Sequence, residues 1–507
     1  MSFVAWEKRR LVVPRWRSLT MTLRSRELSS HQQPSNLGDP EALDPTLVKR
    51  LTTWRLSPSL ISAAEVVESA LVSGREALAA DAARRLIAER TAQPLLRHQA
   101  AIVLERAGDG DKIPLDLRAK FARHDASYWR RVTRLHPHDA LAWLELAFCQ
   151  TVNRQVDAAA RSITVALQLA PHSRHVLRSA SRFFLHRNDP EKAHDLLARN
   201  PATPSDPWLL AAEIALAMLA ERRPRYFKRG IQLLQAGELA PGHLTELASA
   251  LGTAELFDGS AKRSRQMFLQ SVVDPTGNAL AQGEWVTPFL GTEFVPREQF
   301  QQVFEASEAA AHHEYRALRL SAVPELCEAW AKADAYSIRP YEFGSNAASM
   351  NGDYDKALQM AERGLQRRPD APTLLNAKAF ALGSTGKHAE AAAVLRRLPP
   401  AAGNGFSAFL TAANKGLCAM RAGRVEEGRL LYEEAIAGFK RLGDLEHAAY
   451  ARLYLAREAV LAGLPDSSEL ISEADKAMRP YMRTPGGVVF ARFREAVKTG
   501  TAANPRV

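Results

Sequence analysis

Residues 134–143, RLHPHDALAW, set His136 and His138 one residue apart and follow them with Asp139, three side chains of kinds that bind zinc. No cysteine or further histidine stands nearby to complete a tetrahedral set, so no metal is expected there. Asp139 instead has the place of a helix N-cap, a short acceptor ahead of an apolar run. Nucleophile elbows, phosphate loops and dinucleotide fingerprints are absent from the sequence, and its carboxylates are scattered. Neither catalytic residues nor a cofactor are expected.

Two other constellations bear on binding. Residues 171–188, PHSRHVLRSASRFFLHRN, contain no acidic side chain, and His175, Arg178, Arg182 and His186 are spaced 3, 4 and 4 apart. On a helix these four share one basic face, suited to the carboxylates of a partner protein. Such a face is expected to be solvated, so that reversing Arg178 and Arg182 to glutamate would leave folding intact. The histidines, titrating near 6.5, would strengthen capture of an acidic ligand as pH falls. In RRPRYFKR, Arg222, Arg223, Arg225, Lys228 and Arg229 surround Tyr226 and Phe227. Basic residues interleaved with aromatics can grip phosphates and stack on bases. An inter-helix loop with its aromatics turned inward is the plainer reading.

The elements that carry these groups repeat. Pro137 and Pro171 lie 34 residues apart, as do Pro207, Pro241 and Pro275, and each marks a helix end followed by a new apolar helix. That period belongs to helix-pair solenoids. In the unit at 341–369, Ser345, Ala357 and Gly364 are small where two helices would cross, Tyr354 follows the turn and Pro369 closes the unit. In the unit at 141–171, Trp143 and Leu146 are large, Ala147, Ala159 and Ala166 are small, and Pro171 closes. Both units resemble the tetratricopeptide repeat, and weaker copies stand at 63–90, 177–201, 376–400 and 416–439. The resemblance implies an all-α, right-handed α-solenoid of stacked helix-turn-helix repeats that binds a partner protein in its concave groove. Within it, Asn346, Asn376 and Asn414 fall on first helices, near positions where that family hydrogen-bonds an extended peptide.

The expected organisation is a basic, partly disordered arm at 1–44 and repeats over 45–275. An irregular connecting segment follows at 276–330, then repeats over 331–480 and a basic tail at 481–507. The net charge of +11 is concentrated at the ends. Residues 1–30 hold seven basic against two acidic side chains, and residues 478–507 hold six against one, so the body carries a net charge of only about +1. Only three cysteines occur, widely spaced, which points to a reducing compartment, and no apolar run is long enough to span a membrane. The sequence therefore reads as a cytoplasmic, non-enzymatic scaffold or accessory subunit with a protein partner, an acidic segment by preference. By analogy its setting would be a bacterial regulatory or anti-phage complex. The alternative is a nucleic-acid-binding regulator using the basic tails and the 171–188 face.

Overall fold

A computed structural model describes residues 10–16, 45–73, 75–89, 92, 94–107, 109, 126–303, 305–398 and 405–499. Among the described residues there are 26 α-helices and no strand. The chain divides into two compact units, Leu11–Phe304 and a second made of Met1–Arg10 with Glu305–Val507.

The first unit begins with α1 (Pro45–Leu56), α2 (Leu60–Ser73), α3 (Ala80–Ala88), α4 (Pro94–Arg106) and α5 (Ala126–Leu135). Four helix pairs follow: α6 (Ala140–Val152) with α7 (Val156–Leu169), α8 (Arg174–His186) with α9 (Pro190–Ala198), α10 (Pro207–Leu219) with α11 (Phe227–Gln235), and α12 (Pro241–Phe257) with α13 (Ala261–Ser271). Helix α14 (Gly277–Leu290) and the single turn α15 (Gln299–Gln302) end the unit. The second unit holds α16 (Ser307–Arg316) and α17 (Val323–Ala333), then α18 (Arg339–Asn351) with α19 (Tyr354–Arg367) and α20 (Pro372–Ser384) with α21 (His388–Leu395). It continues with α22 (Phe406–Arg421) and α23 (Val425–Arg441), α24 (Leu445–Leu461) and α25 (Ser467–Met478), and finishes on α26 (Pro485–Lys498). Each unit is an α-solenoid in which successive helices pack on one another.

Small residues set the helix crossings. Ala147, Ala159, Ala166, Ala193, Ala357, Ala379, Ala391 and Ala435 are all fully enclosed. At the α22–α23 crossing the backbones themselves meet: a Cβ on Gly416 would stand 3.0 Å from the Gly428 carbonyl oxygen, and one on Gly428 2.3 Å from Met420 Cγ. Ser345 Oγ, on α18, donates to the Ala357 carbonyl of α19 at 2.9 Å, tying the pair together where no larger side chain fits. Ala159→Leu and Ala357→Leu should each overpack such a crossing and cost about 1 to 3 kcal/mol. Thermal melting measures it, and two unchanged transitions would show the crossings to be looser than the geometry states.

Turns between neighbouring helices place one residue in the left-handed region. It is a glycine at Gly259, Gly352, Gly386, Gly423 and Gly463. At Arg154, Asn188, Glu221 and Leu318 it carries a side chain, at φ near 60°. In each case the next residue donates its N–H to the carbonyl five positions earlier, as in Gln155 to Gln150, Arg222 to Ala217 and Asp353 to Ala348. A side chain disfavours this conformation, so Glu221→Gly should stabilise the first unit by about 1 kcal/mol. A urea midpoint that fails to rise would refute it.

Three expected boundaries need correction. Residues 276–330 are largely helical, carrying α14, α16 and α17, rather than irregular. The tail at 481–507 contains α26, which buries Phe490 and Phe493 in an apolar cluster with Tyr450 and Leu453. In the arm at 1–44, residues 10–16 are neither helix nor strand and are largely buried. The remainder of the arm and residues 500–507 lie outside the described residues. No helix among those described is long and apolar enough to cross a membrane.

Candidate peptide-binding groove

An apolar helix is buried on all sides only when something covers each face. In the first unit α10 is buried at every position from Pro207 to Ala217, and α12 at every position from Leu244 to Glu255. Part of the cover is the chain's own start. Leu11 and Val12 join the apolar cluster of Leu210, Ile214, Leu247 and Leu251. Trp16, 1% exposed, meets Phe148 of α6 and Phe183 of α8 edge to face, with ring centroids 5.4 and 6.0 Å away. Arg15 Nη2 donates to the Gly277 carbonyl at 3.4 Å and Asn278 Nδ2 donates to the Val13 carbonyl at 3.1 Å, both groups being at the start of α14. The segment thus engages the first helix of every pair from α6 to α12, together with α14. Leu11, Val12, Pro14 and Trp16 are buried and Val13 and Arg15 half-buried, so that from Val12 onward burial alternates.

The amide of Asn278 is held in place from behind. Its Nδ2 also donates to Glu246 Oε1 at 3.2 Å, Thr276 Oγ1 reaches the same oxygen at 3.3 Å, and Glu246 Oε2 accepts from Arg178 Nη2 at 2.8 Å. Arg178 in turn donates to the Trp208 carbonyl at 3.0 Å and lies over the Trp208 ring. Asn278→Leu removes both donors and should cost about 1 to 3 kcal/mol, because the Val13 carbonyl and Glu246 each lose a buried partner. Urea unfolding measures it.

The expected basic face is corrected by this arrangement. His175 and Arg178 are buried, Arg178 is paired with Glu246, and Arg182 and His186 are half-buried. Burial first, and then the Arg178 charge, holds His175 down to about 4, so it does not titrate near 6.5. Neither residue is an open contact for an acidic ligand. Of the three asparagines, Asn346 is exposed, whereas Asn376 and Asn414 are buried and satisfy each other, Asn414 Nδ2 donating to Asn376 Oδ1 at 3.0 Å and Thr411 Oγ1 to the same oxygen at 3.2 Å. They join α20 to α22 rather than presenting donors to a peptide.

In the 222–229 loop, Arg222, Arg223, Arg225, Lys228 and Arg229 are exposed while Tyr226 and Phe227 pack inward on the α10–α12 cluster. Several of the cations are tied down: Arg222 to Asp195, Arg225 to the Ala198 carbonyl and Arg229 to the Pro204 carbonyl. Asp139 caps α6 as expected, its Oδ1 accepting from the amides of Leu141 and Ala142.

The second unit has charged centres of its own. Arg10 grips Glu308 with Nε and Nη2 at 3.0 and 3.1 Å, and Arg339 reaches the same carboxylate at 3.3 Å. Glu458 is held by Arg421 and Arg457, and Arg457 also donates to the Tyr354 hydroxyl at 3.2 Å while lying over the Tyr454 ring. Sequence reasoning missed Glu246, Asn278, Glu308 and Glu458. The signal for the groove segment was present in LVVPRW, an aliphatic run with proline and tryptophan inside an otherwise basic arm.

Comparison with known proteins places part of this architecture. The tetratricopeptide-repeat family model matches residues 348–415, from the end of α18 into α22. This stretch is similar to tetratricopeptide repeats. No curated protein matches the chain. Solved structures similar to it include a chain of the APC/C hetero-tetramer Cut9–Hcn1, at 12% identity over 88% of this chain and 92% of that one, with a TM-score of 0.32. Yeast Tom70 is similar at 12% identity over 87% of this chain and 96% of that one, with a TM-score of 0.30.

Proposed function

We propose that the protein is a non-enzymatic scaffold that binds a partner protein through its helix-pair repeats. One observation carries the reading: the first unit holds a stretch of non-helical chain against five helices, by apolar and aromatic contacts and a side-chain amide on a backbone carbonyl. Those are the contacts by which a repeat surface takes a peptide. A role as accessory subunit of a bacterial regulatory or anti-phage complex rests on analogy with other enzyme-free repeat proteins. Cytoplasmic placement is part of the same proposal.

Crosslinking in extracts, with mass spectrometry of the crosslinked peptides, tests it. The expected result is one protein joined reproducibly to the repeat helices and retained in about 0.5 M salt, where exposed charges are screened to a few ångströms. Recovery of nucleic acid alone, released steeply as salt rises, would replace this reading with the nucleic-acid regulator. The exposed cations of the 222–229 loop would then be its first contacts.

A further inference from the structure

The geometry points to a peptide site in the first unit that is already filled. Leu11–Trp16 is a ligand bound in cis, and an outside segment that takes its place carries the same pattern, an aliphatic run, a proline and a basic residue ahead of a tryptophan. This rests on the scaffold reading and specifies what one of its surfaces accepts.

The segment is bound as a peptide rather than built in as an element. It forms neither helix nor strand; one of its polar contacts is made by its backbone, the Val13 carbonyl accepting from Asn278, and one by a side chain, Arg15 Nη2 donating to the Gly277 carbonyl. Pro14 is buried where an ordinary residue would need a partner for its N–H, and it holds the chain extended at low entropic cost. Trp16, set against two phenylalanine rings, has the character of an anchor at the centre of an interface. Behind the segment, Arg178 and Glu246 fix the Asn278 amide, so the receiving group is pre-oriented. The basic residue of the pattern rests on Arg15, which donates to the Gly277 carbonyl. The buried glutamates behind the segment are already paired, Glu213 with His194, Glu246 with Arg178 and Glu255 with Arg263.

The test separates the segment from the chain without altering a groove residue. A protease recognition sequence is inserted after Ser30, the full-length protein is cleaved, and it is dialysed against excess labelled peptide of residues 8–18. Cleaved protein should take up the label and intact protein should not, and unlabelled peptide should compete. A peptide carrying Trp16→Ala should bind more weakly by on the order of 30-fold, the effect of losing one aromatic anchor. Melting of cleaved and intact protein is followed in parallel. If cleaved protein takes up no peptide, or unfolds on cleavage, the segment is a fixed part of the core and the proposal fails. Equal uptake by intact protein would place the label elsewhere and overturn it as well. The crosslinking experiment on intact protein is independent of cleavage, so the scaffold reading stands or falls separately.

Discussion

Arg178→Ala should destabilise the first unit by about 3 to 5 kcal/mol, the usual cost of leaving one member of a buried ion pair without the other. Arg178 is 1% exposed and Glu246 2%, with 2.8 Å between Nη2 and Oε2. Removing the guanidinium also takes a donor from the Trp208 carbonyl and a cation from its ring. Glu246→Ala should cost a similar amount. Combining Arg178→Leu with Glu246→Leu should recover much of the loss, since two apolar groups leave no stranded charge, although Asn278 and Thr276 then lose their acceptor. Urea unfolding at neutral pH, followed by tryptophan emission, reads the series. A single Arg178→Ala change costing less than about 1 kcal/mol would mean that Glu246 finds water or another cation, and that the ion pair does not organise the groove.

Stability should also fall in mildly acid solution, before carboxylates are protonated in numbers. Burial holds His175 down to about 4, with Arg178 adding to the effect. Burial likewise holds His312 down to about 4, where the nearby Glu308 opposes the shift and Arg10 and Arg339 reinforce it. Both histidines lie below the unfolded value of about 6.5, so the unfolded chain binds the protons first. Stability is then complete above pH 6.5, declines as pH falls toward 4 and levels off below that. At about 1.4 kcal/mol for each pKa unit, each histidine accounts for about 3 kcal/mol across the window, and about 2 kcal/mol of it is gone by pH 5. Urea midpoints measured between pH 7.5 and 5 test this directly. His175→Gln should flatten the decline in the first unit and His312→Gln in the second. A decline unchanged in both variants would assign the acid sensitivity to other groups.

The repeat frame was legible because it rests on steric necessity: where two backbones approach closely, only Ala, Gly or Ser fits, and those residues recur with the period of the fold. The buried charges were not legible, because helical periodicity assigns Arg178 to a face without saying whether that face meets water. The deciding partner, Glu246, lies 68 residues along the chain, in a helix two pairs further on. Asn376 and Asn414 were misread for a related reason. First helices of neighbouring repeats touch, so a polar side chain there can serve the next helix as readily as a ligand. In the N-terminal arm, the density of arginine outweighed the aliphatic run between Arg10 and Pro14, although that run is what the groove buries.

The separation of 265 residues between Val13 and Asn278 also sets an order of events during synthesis. At about 5 to 20 residues per second, the ribosome releases Leu11–Trp16 tens of seconds before the helix that holds its carbonyl exists. In that interval an aliphatic run with a tryptophan is exposed on the nascent chain, as a chaperone's client would be. The inner faces of α10 and α12, once made, are covered by a segment synthesised long before them. Assembly of the first unit is therefore non-local and slow for a helical protein, whose stacked pairs would otherwise fold by neighbour contacts alone.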